Sequence, residues 1–197
     1  MRAWTRAVRR LLPGAAAPPQ LVMWYPQGRS PPSPELEEGY GLRPHCVGDD
    51  AAWLALLEAN GELGAWDLER LQRDAKGQLA PGTPLFALQG ERIVAAAGVY
   101  GRSVAGVTSW EVGWVACHPC HAGKGLGRAA TASAVQAALT LERRPIVLKT
   151  DDHRIAAVKS YLRLGFVPEY GHPTYPSRWE AIFAKLGPES APNDREA

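Results

Sequence analysis

Residues 109–144 read SWEVGWVACHPCHAGKGLGRAATASAVQAALTLERR, and the order of textures in this stretch decides the fold. Trp110, Val112, Trp114 and Val115 form a β-type run. Pro119 breaks it, a loop dense in glycine follows, and the alanine-rich run after it predicts a long helix. A strand, a glycine loop and a helix in that order make a place for an anion. Gly123, Gly125 and Gly127 lack a Cβ, so backbone can come close to a ligand, and the first turn of a helix has N–H groups with no acceptor inside it. The positive end of the helix dipole adds to this, with Lys124 and Arg128 beside it.

The spacing narrows the kind of anion site. A P-loop needs Lys followed by Ser or Thr after its last glycine, and Gly127 is followed by Arg128 and Ala129. The G-x-G-x-x-G dinucleotide pattern is not met by glycines at 123, 125 and 127. Gly123-Lys124-Gly125-Leu126-Gly127 instead resembles motif A of the GNAT acyltransferases, Q/R-x-x-G-x-G/A. Further on, Ala157, Tyr161, Gly165 and Phe166 fall into the pattern N-x-x-A-x-x-x-Y-x-x-x-G-F, which resembles motif B of the same family. The resemblance covers roughly residues 40–186, and the sequence T-D-D-x-R-x-x-A-x-x-x-Y is similar to a bacterial branch near mycothiol-synthase-like members.

The resemblance implies an α/β (α+β) fold of one GNAT-type domain. Its central sheet is mixed, mostly antiparallel and twisted, flanked by helices, and splayed between the fourth and fifth strands counted from Tyr40. It also implies acetyl-CoA as co-substrate. The backbone of Val115, Ala116 and Cys117 would pair with the pantetheine arm, and the amides of Gly123, Lys124, Gly125, Leu126, Gly127 and Arg128 would hold the pyrophosphate. Ala122 stands where the family has Gln or Arg, and Arg154 where motif B begins with Asn, so the contacts of those two side chains are absent or rebuilt.

Acetyl transfer from a thioester to an amine needs a proton acceptor for the amine and a proton for the departing thiolate. Glu111 falls where some members carry a glutamate base, and Tyr161 matches the tyrosine that serves the leaving sulfur. Strand alternation would put Glu111, Gly113, Val115 and Cys117 on one face. The competing readings are a solvated strand carboxylate and a packing tyrosine. Trp66, Trp114, Tyr170 and His172 are candidate contacts for the acceptor, a primary amine expected to belong to a small molecule. A catalytically degenerate acyl-CoA sensor is the alternative, motivated by Ala122 and Arg154.

The rest of the chain fits one domain preceded by an extension. The 197 residues carry a net charge of +2, too little to select nucleic acid, and three cysteines do not form a disulfide framework, which favours a cytoplasmic setting. No apolar run reaches the roughly 20 residues of a membrane span. Residues 1–38 read as an N-terminal extension: a basic helix, a run at Leu21 to Tyr25 that adds an edge strand or packs on the sheet, and a proline-rich linker. Its apolar part is broken by Pro13, short of the roughly 7–15 residues of an export signal. Residues 39–187 form the domain, a monomer or homodimer, and 188–197 a polar tail.

Within the domain, Asp49 and Asp50 are expected to cap a helix over 51–59, a second helix spans 66–73, and strands run over 84–89 and 92–100. A strand at 146–149 and a helix at 154–164 follow, and Trp179 to Lys185 is expected to complete the sheet. Cys117-His118-Pro119-Cys120-His121 fits the C-x-x-C-H pattern of haem attachment or half a zinc site. Haem needs export and zinc needs further ligands, so no metal is expected.

Overall fold

The alternating run that begins at Arg92 pairs with the strand ending at Cys117, and this long hairpin is the centre of a seven-stranded sheet. The computed structural model describes residues 18–104, 107–142 and 144–187. The basic N-terminal helix and the polar tail expected from the sequence lie outside the described residues.

The strands are β1 (Leu21–Tyr25), β2 (Tyr40–Pro44), β3 (Leu85–Gln89), β4 (Arg92–Val104), β5 (Val107–Cys117), β6 (Ile146–Thr150) and β7 (Val167–Pro168). They lie in the order β2-β3-β4-β5-β6-β1-β7. Among the described strands only β5 and β6 run parallel; the other pairs are antiparallel. The helices are α1 (Asp50–Asn60), α2 (Leu68–Arg70, running on into a π-helical turn, Leu71–Lys76), α3 (Leu126–Thr140), α4 (Ile155–Leu164) and α5 (Tyr175–Leu186). This is the mixed, mostly antiparallel sheet with flanking helices that the two motifs imply.

Small side chains let helices approach the hairpin from both faces. On one face Ala96 and Ala116 pack with Trp53, Leu56, Leu57 and Phe86, which belong to α1 and β3. On the other, Ala97, Val99 and Val112 meet the alanine-rich side of α3 through Ala130, Ala134, Val135 and Ala138. Burying such a continuous apolar layer is the main favourable contribution to the fold, on the order of 25 cal/mol for each Å² removed from water.

The sheet separates where the resemblance implies it should. Residues Trp110, Glu111 and Val112 pair with Ile146, Val147 and Leu148, and the pairing stops there, although β5 continues to Cys117 and β6 to Thr150. Beyond Val112, β5 therefore turns an unpaired edge toward the gap.

Four local expectations are corrected. Trp179 to Lys185 is not a strand but part of α5: Pro176 sits in the first turn, and Tyr175, Trp179 and Ile182 recur at helical spacing on the buried side. The strand beside β7 is instead β1, which is not an edge strand; it lies between β6 and β7.

Asp49 and Asp50 do not cap α1 through their side chains. Asp49 is drawn to Arg43, 2.6 Å away, and to the amide of Cys46, while Asp50 takes Lys76 at 2.6 Å and His45 at 3.0 Å. Charged partners outcompete the helix amides.

The fourth correction concerns β5. Ala96 pairs with Ala116 and Gly98 with Gly113, so β5 advances three residues where β4 advances two. The extra residue makes a β-bulge, and Trp114 within it has φ 49°, the left-handed region that non-glycine residues seldom enter. Alternation is inverted past this point. Glu111 and Gly113 share a face with Ala116, whereas Val115 packs toward α3 and Cys117 against Leu126.

Candidate active site

From the end of β5 the chain turns through a short 3-10 segment, Pro119–His121, where the His118 ring accepts the Cys120 amide at 3.2 Å. Gly123 (φ 82°) and Gly125 (φ 74°) then take left-handed conformations and reverse the chain into α3. A Cβ at Gly123 would meet nothing within 4 Å, so backbone conformation, not space, calls for glycine there. The first helical bond runs from the Ala129 amide to the Gly125 carbonyl, 2.9 Å. The amides of Leu126, Gly127 and Arg128 have no acceptor inside the helix; that of Gly127 meets the Cys117 thiol, and those of Leu126 and Arg128 are left for a ligand.

These amides open into a cavity of about 940 Å³. Every residue expected to hold the coenzyme lines it: Val115 to Cys117 on the unpaired edge of β5, the loop from Ala122 to Arg128, and Arg154 at the start of α4. Tyr161 lines it as well, from within α4. The volume lies at the upper end of small-molecule sites, which suits an elongated ligand. The site combines an unpaired strand edge, on which an amide-bearing chain can add as a further strand, with a helix N-terminus for phosphate. The residues present therefore fit an acyl-CoA.

Side chains tune each part. Lys124 donates to the Tyr40 hydroxyl at 2.8 Å, and that hydroxyl lies 3.0 Å from His121 Nδ1, so the loop is tied to β2. The bond to Tyr40 raises the Lys124 pKa, keeping a positive charge beside the loop. Burial and then the neighbouring Lys124 push the His121 pKa down. At the gap, Arg154 donates to the Val115 carbonyl at 3.3 Å and to Glu62 at 3.0 Å, and Asn60 donates to the Cys117 carbonyl at 3.1 Å. Two acceptors of the unpaired edge are thus met by side chains from across the cleft, which avoids the cost of leaving them unsatisfied. Arg154, which stands where the motif B pattern begins with Asn, makes one of these contacts.

Tyr161 is only 3% exposed, and its ring packs edge-on to Phe166 at 6.1 Å. Burial raises its pKa, so the hydroxyl stays protonated near neutrality. Glu111 does not line the cavity. It sits where β5 and β6 still pair, 2.9 Å from Lys149 and 3.8 Å from Arg102, with the buried Tyr100 opposite it on β4.

Trp66 and Trp114 come together outside the cavity, edge to face at 4.7 Å, with the Arg70 guanidinium 4.3 Å over Trp66. The Trp114 indole donates to the Asp74 carbonyl at 3.2 Å, which holds the bulge against the π-helical turn. Tyr170 and His172 lie in the connection from β7 to α5, where the His172 ring pairs with Thr174, and neither lines the cavity. The cysteines and histidines of 117–121 diverge: Cys117 packs inward, His118 meets Arg92, and His121 meets Tyr40. Among the described residues no group of three His, Cys, Asp or Glu side chains could hold a metal.

Sequence reasoning missed Asn60, Glu62, Lys149 and the cavity-lining Lys159 and Arg163. Only the last pair carried a signal, two cations four residues apart on α4 after the motif B alanine.

A strand edge left unpaired beside a glycine-turned helix N-terminus suits an acylated pantetheine nucleotide, the kind of ligand acyltransferases take. The chain matches the acetyltransferase (GNAT) family over residues 48–166, more than half its length, and belongs to that family. It is 34% identical over 146 residues to a mycothiol acetyltransferase of Thermobispora bispora, an alignment covering 68% of this chain and 49% of that protein. The chain thus spans about half the length of this curated relative. Its fold is similar to that of a GCN5-related N-acetyltransferase from Sphaerobacter thermophilus (TM-score 0.62, 22% identity, 86% of this chain and 55% of the other). It is also similar to the ribosomal-protein-S18-alanine N-acetyltransferase of Escherichia coli (TM-score 0.54, 16% identity, 66% and 79%). No described helix is long and apolar enough to cross a membrane.

Proposed function

We propose that this chain is an acetyl-CoA-dependent N-acetyltransferase that acts on a primary amine of a small molecule by direct transfer in a ternary complex. One observation carries the reading: the edge of β5 freed beyond Val112 and the N-terminus of α3 open into the same cavity. Amides of the arm add to the edge at Val115–Cys117, displacing or sharing the bonds from Arg154 and Asn60. The loop amides from Gly123 to Arg128 and the Lys124 charge receive the pyrophosphate. The curated relative, a mycothiol acetyltransferase, supports a small-molecule acceptor.

Tyr161 holds its proton and gives it to the departing thiolate; its place on the cavity wall supports this. Glu111 takes the proton of the attacking amine through water. It lies just before the separation of β5 from β6, and Lys149 must loosen from its carboxylate as the proton arrives. Trp66, Trp114, Tyr170 and His172 are proposed to border the acceptor.

The test is free-thiol release from acetyl-CoA with a panel of amines, alongside calorimetry with CoA. Amine-dependent release is expected, and Tyr161→Phe should lower kcat about 100-fold while leaving the CoA Kd unchanged. Release that no amine accelerates, or full turnover by Tyr161→Phe, would overturn the reading.

A further inference from the structure

The connection from β1 to β2 has a long way to go, because β1 lies next to one end of the sheet and β2 forms the other. It crosses on the side of α3 and α4. The Arg29 side chain lies against Gly165 at the end of α4, its Nε 2.7 Å from where a Cβ would stand. Pro32, Ser33 and Pro34 face Arg128, Ala132 and Arg163 across a small cavity of about 170 Å³. Leu36 packs against the buried group of Ala87, Val94, Ala95 and Leu126 at the base of the glycine loop. The chain then turns, Tyr40 N–H to Glu37 carbonyl at 3.2 Å, and Tyr40 receives Lys124.

Glu35, Leu36 and Glu37 consequently line the same large cavity as the loop amides, together with Lys124, Arg128, Lys159 and Arg163. Both carboxylates are on exposed residues, and Leu36 between them is half-buried. The whole connection precedes residue 48, where the family match begins. A groove shaped for phosphates thus carries two negative charges on a segment that the matched family region does not include.

We propose that residues 29–39 form a strap that is the outer wall of the coenzyme site, and that Glu35 and Glu37 oppose the phosphates of the bound nucleotide by like-charge repulsion. The proposal rests on the acetyl-CoA reading above. Leu36 is the anchor, and its apolar contacts hold the strap in place while the flanking carboxylates face the cavity. Phosphates entering the groove meet those two like charges. Phosphates that bind Lys124, Arg128 and Arg163 lie in the field of the carboxylates unless these turn outward. The strap thereby weakens the hold on the nucleotide end and leaves the pantetheine end untouched.

The full chain and its Glu35→Gln/Glu37→Gln variant are titrated calorimetrically with CoA and, as a probe without phosphate, with pantetheine. Removing two partly solvated like charges is expected to tighten CoA about fivefold, leave pantetheine unchanged, and lose the difference at high salt. In the unaltered protein, saturating CoA is expected to change amide hydrogen exchange across residues 29–39. An unchanged or weaker CoA Kd in the variant, or a strap whose exchange ignores CoA, overturns the strap while the acetyl-CoA reading stands. Failure of the unaltered protein to bind CoA overturns both.

Discussion

Three alternating glycines look equivalent in the sequence, but Gly125 and Gly127 should respond in opposite ways to alanine. Gly125 has φ 74° and ψ 4°, and an added Cβ would find only the Arg128 guanidinium, 3.7 Å away. The cost of Gly125→Ala is therefore conformational, about 1–2 kcal/mol for an L-residue held left-handed. Gly127 lies inside the first turn of α3, and its Cβ would stand 3.9 Å from that of Cys117, an ordinary contact. Alanine gains up to about 1 kcal/mol over glycine in a helix interior, and about half of that is expected so near the end.

Urea denaturation of the two variants should then differ by about 2 kcal/mol, with Gly125→Ala below the parent and Gly127→Ala level with it or above. Because Gly125 sets the direction of the next three amides, Gly125→Ala should also weaken CoA at least tenfold in calorimetry. If Gly125→Ala proved as stable as the parent, the left-handed turn that aims those amides would not exist. The amide cradle would go with it.

Other consequences are open to test. The Arg43 guanidinium beside Asp49 holds that carboxyl down to about 2 from 3.8. A depressed carboxyl stabilises the fold above its unfolded pKa, so this contribution should be complete above about pH 5 and fade as pH falls toward 2. Arg43→Met should lower stability near neutrality by about 1–2 kcal/mol and flatten the acid limb of a stability-against-pH curve. Glu111→Gln should lower kcat about 100-fold at saturating acetyl-CoA, with CoA affinity kept, since the carboxylate stands clear of the cavity. Equal kcat values would remove Glu111 from the reaction.

Which features were legible in the sequence follows from how local their causes are. The glycine loop and α3 depend on residues within one or two turns of one another, so Gly123 to Gly127 and the alanine run announced them. Motif B was equally local, a single helix closed by Gly165. The bulge left only the ambiguous mark of Gly113 inside a strand; the extra residue arises from pairing with Ala96 and Gly98 on another strand. The inward turn of Val115 and Cys117 was hidden with it.

The pairing of Glu111 with Lys149 has the same origin, since only the parallel neighbours β5 and β6 bring them together. At Trp179 to Lys185 the apolar residues fit either period. The tie was broken by Tyr175-Pro176 at the helix start and by the prior claim of β1 on the place beside β7. That claim comes from a segment about 140 residues earlier, beyond the reach of any local pattern.

The strand Leu21–Tyr25 leaves the ribosome long before Ile146–Thr150 and Val167–Pro168, the two segments it must join. Until they emerge, an apolar ribbon with both flanks open is on offer to any other nascent chain, a hazard that chaperones manage. Assembly of this half of the sheet is consequently a late, long-range event, slowed by the loop of well over 100 residues that must close first.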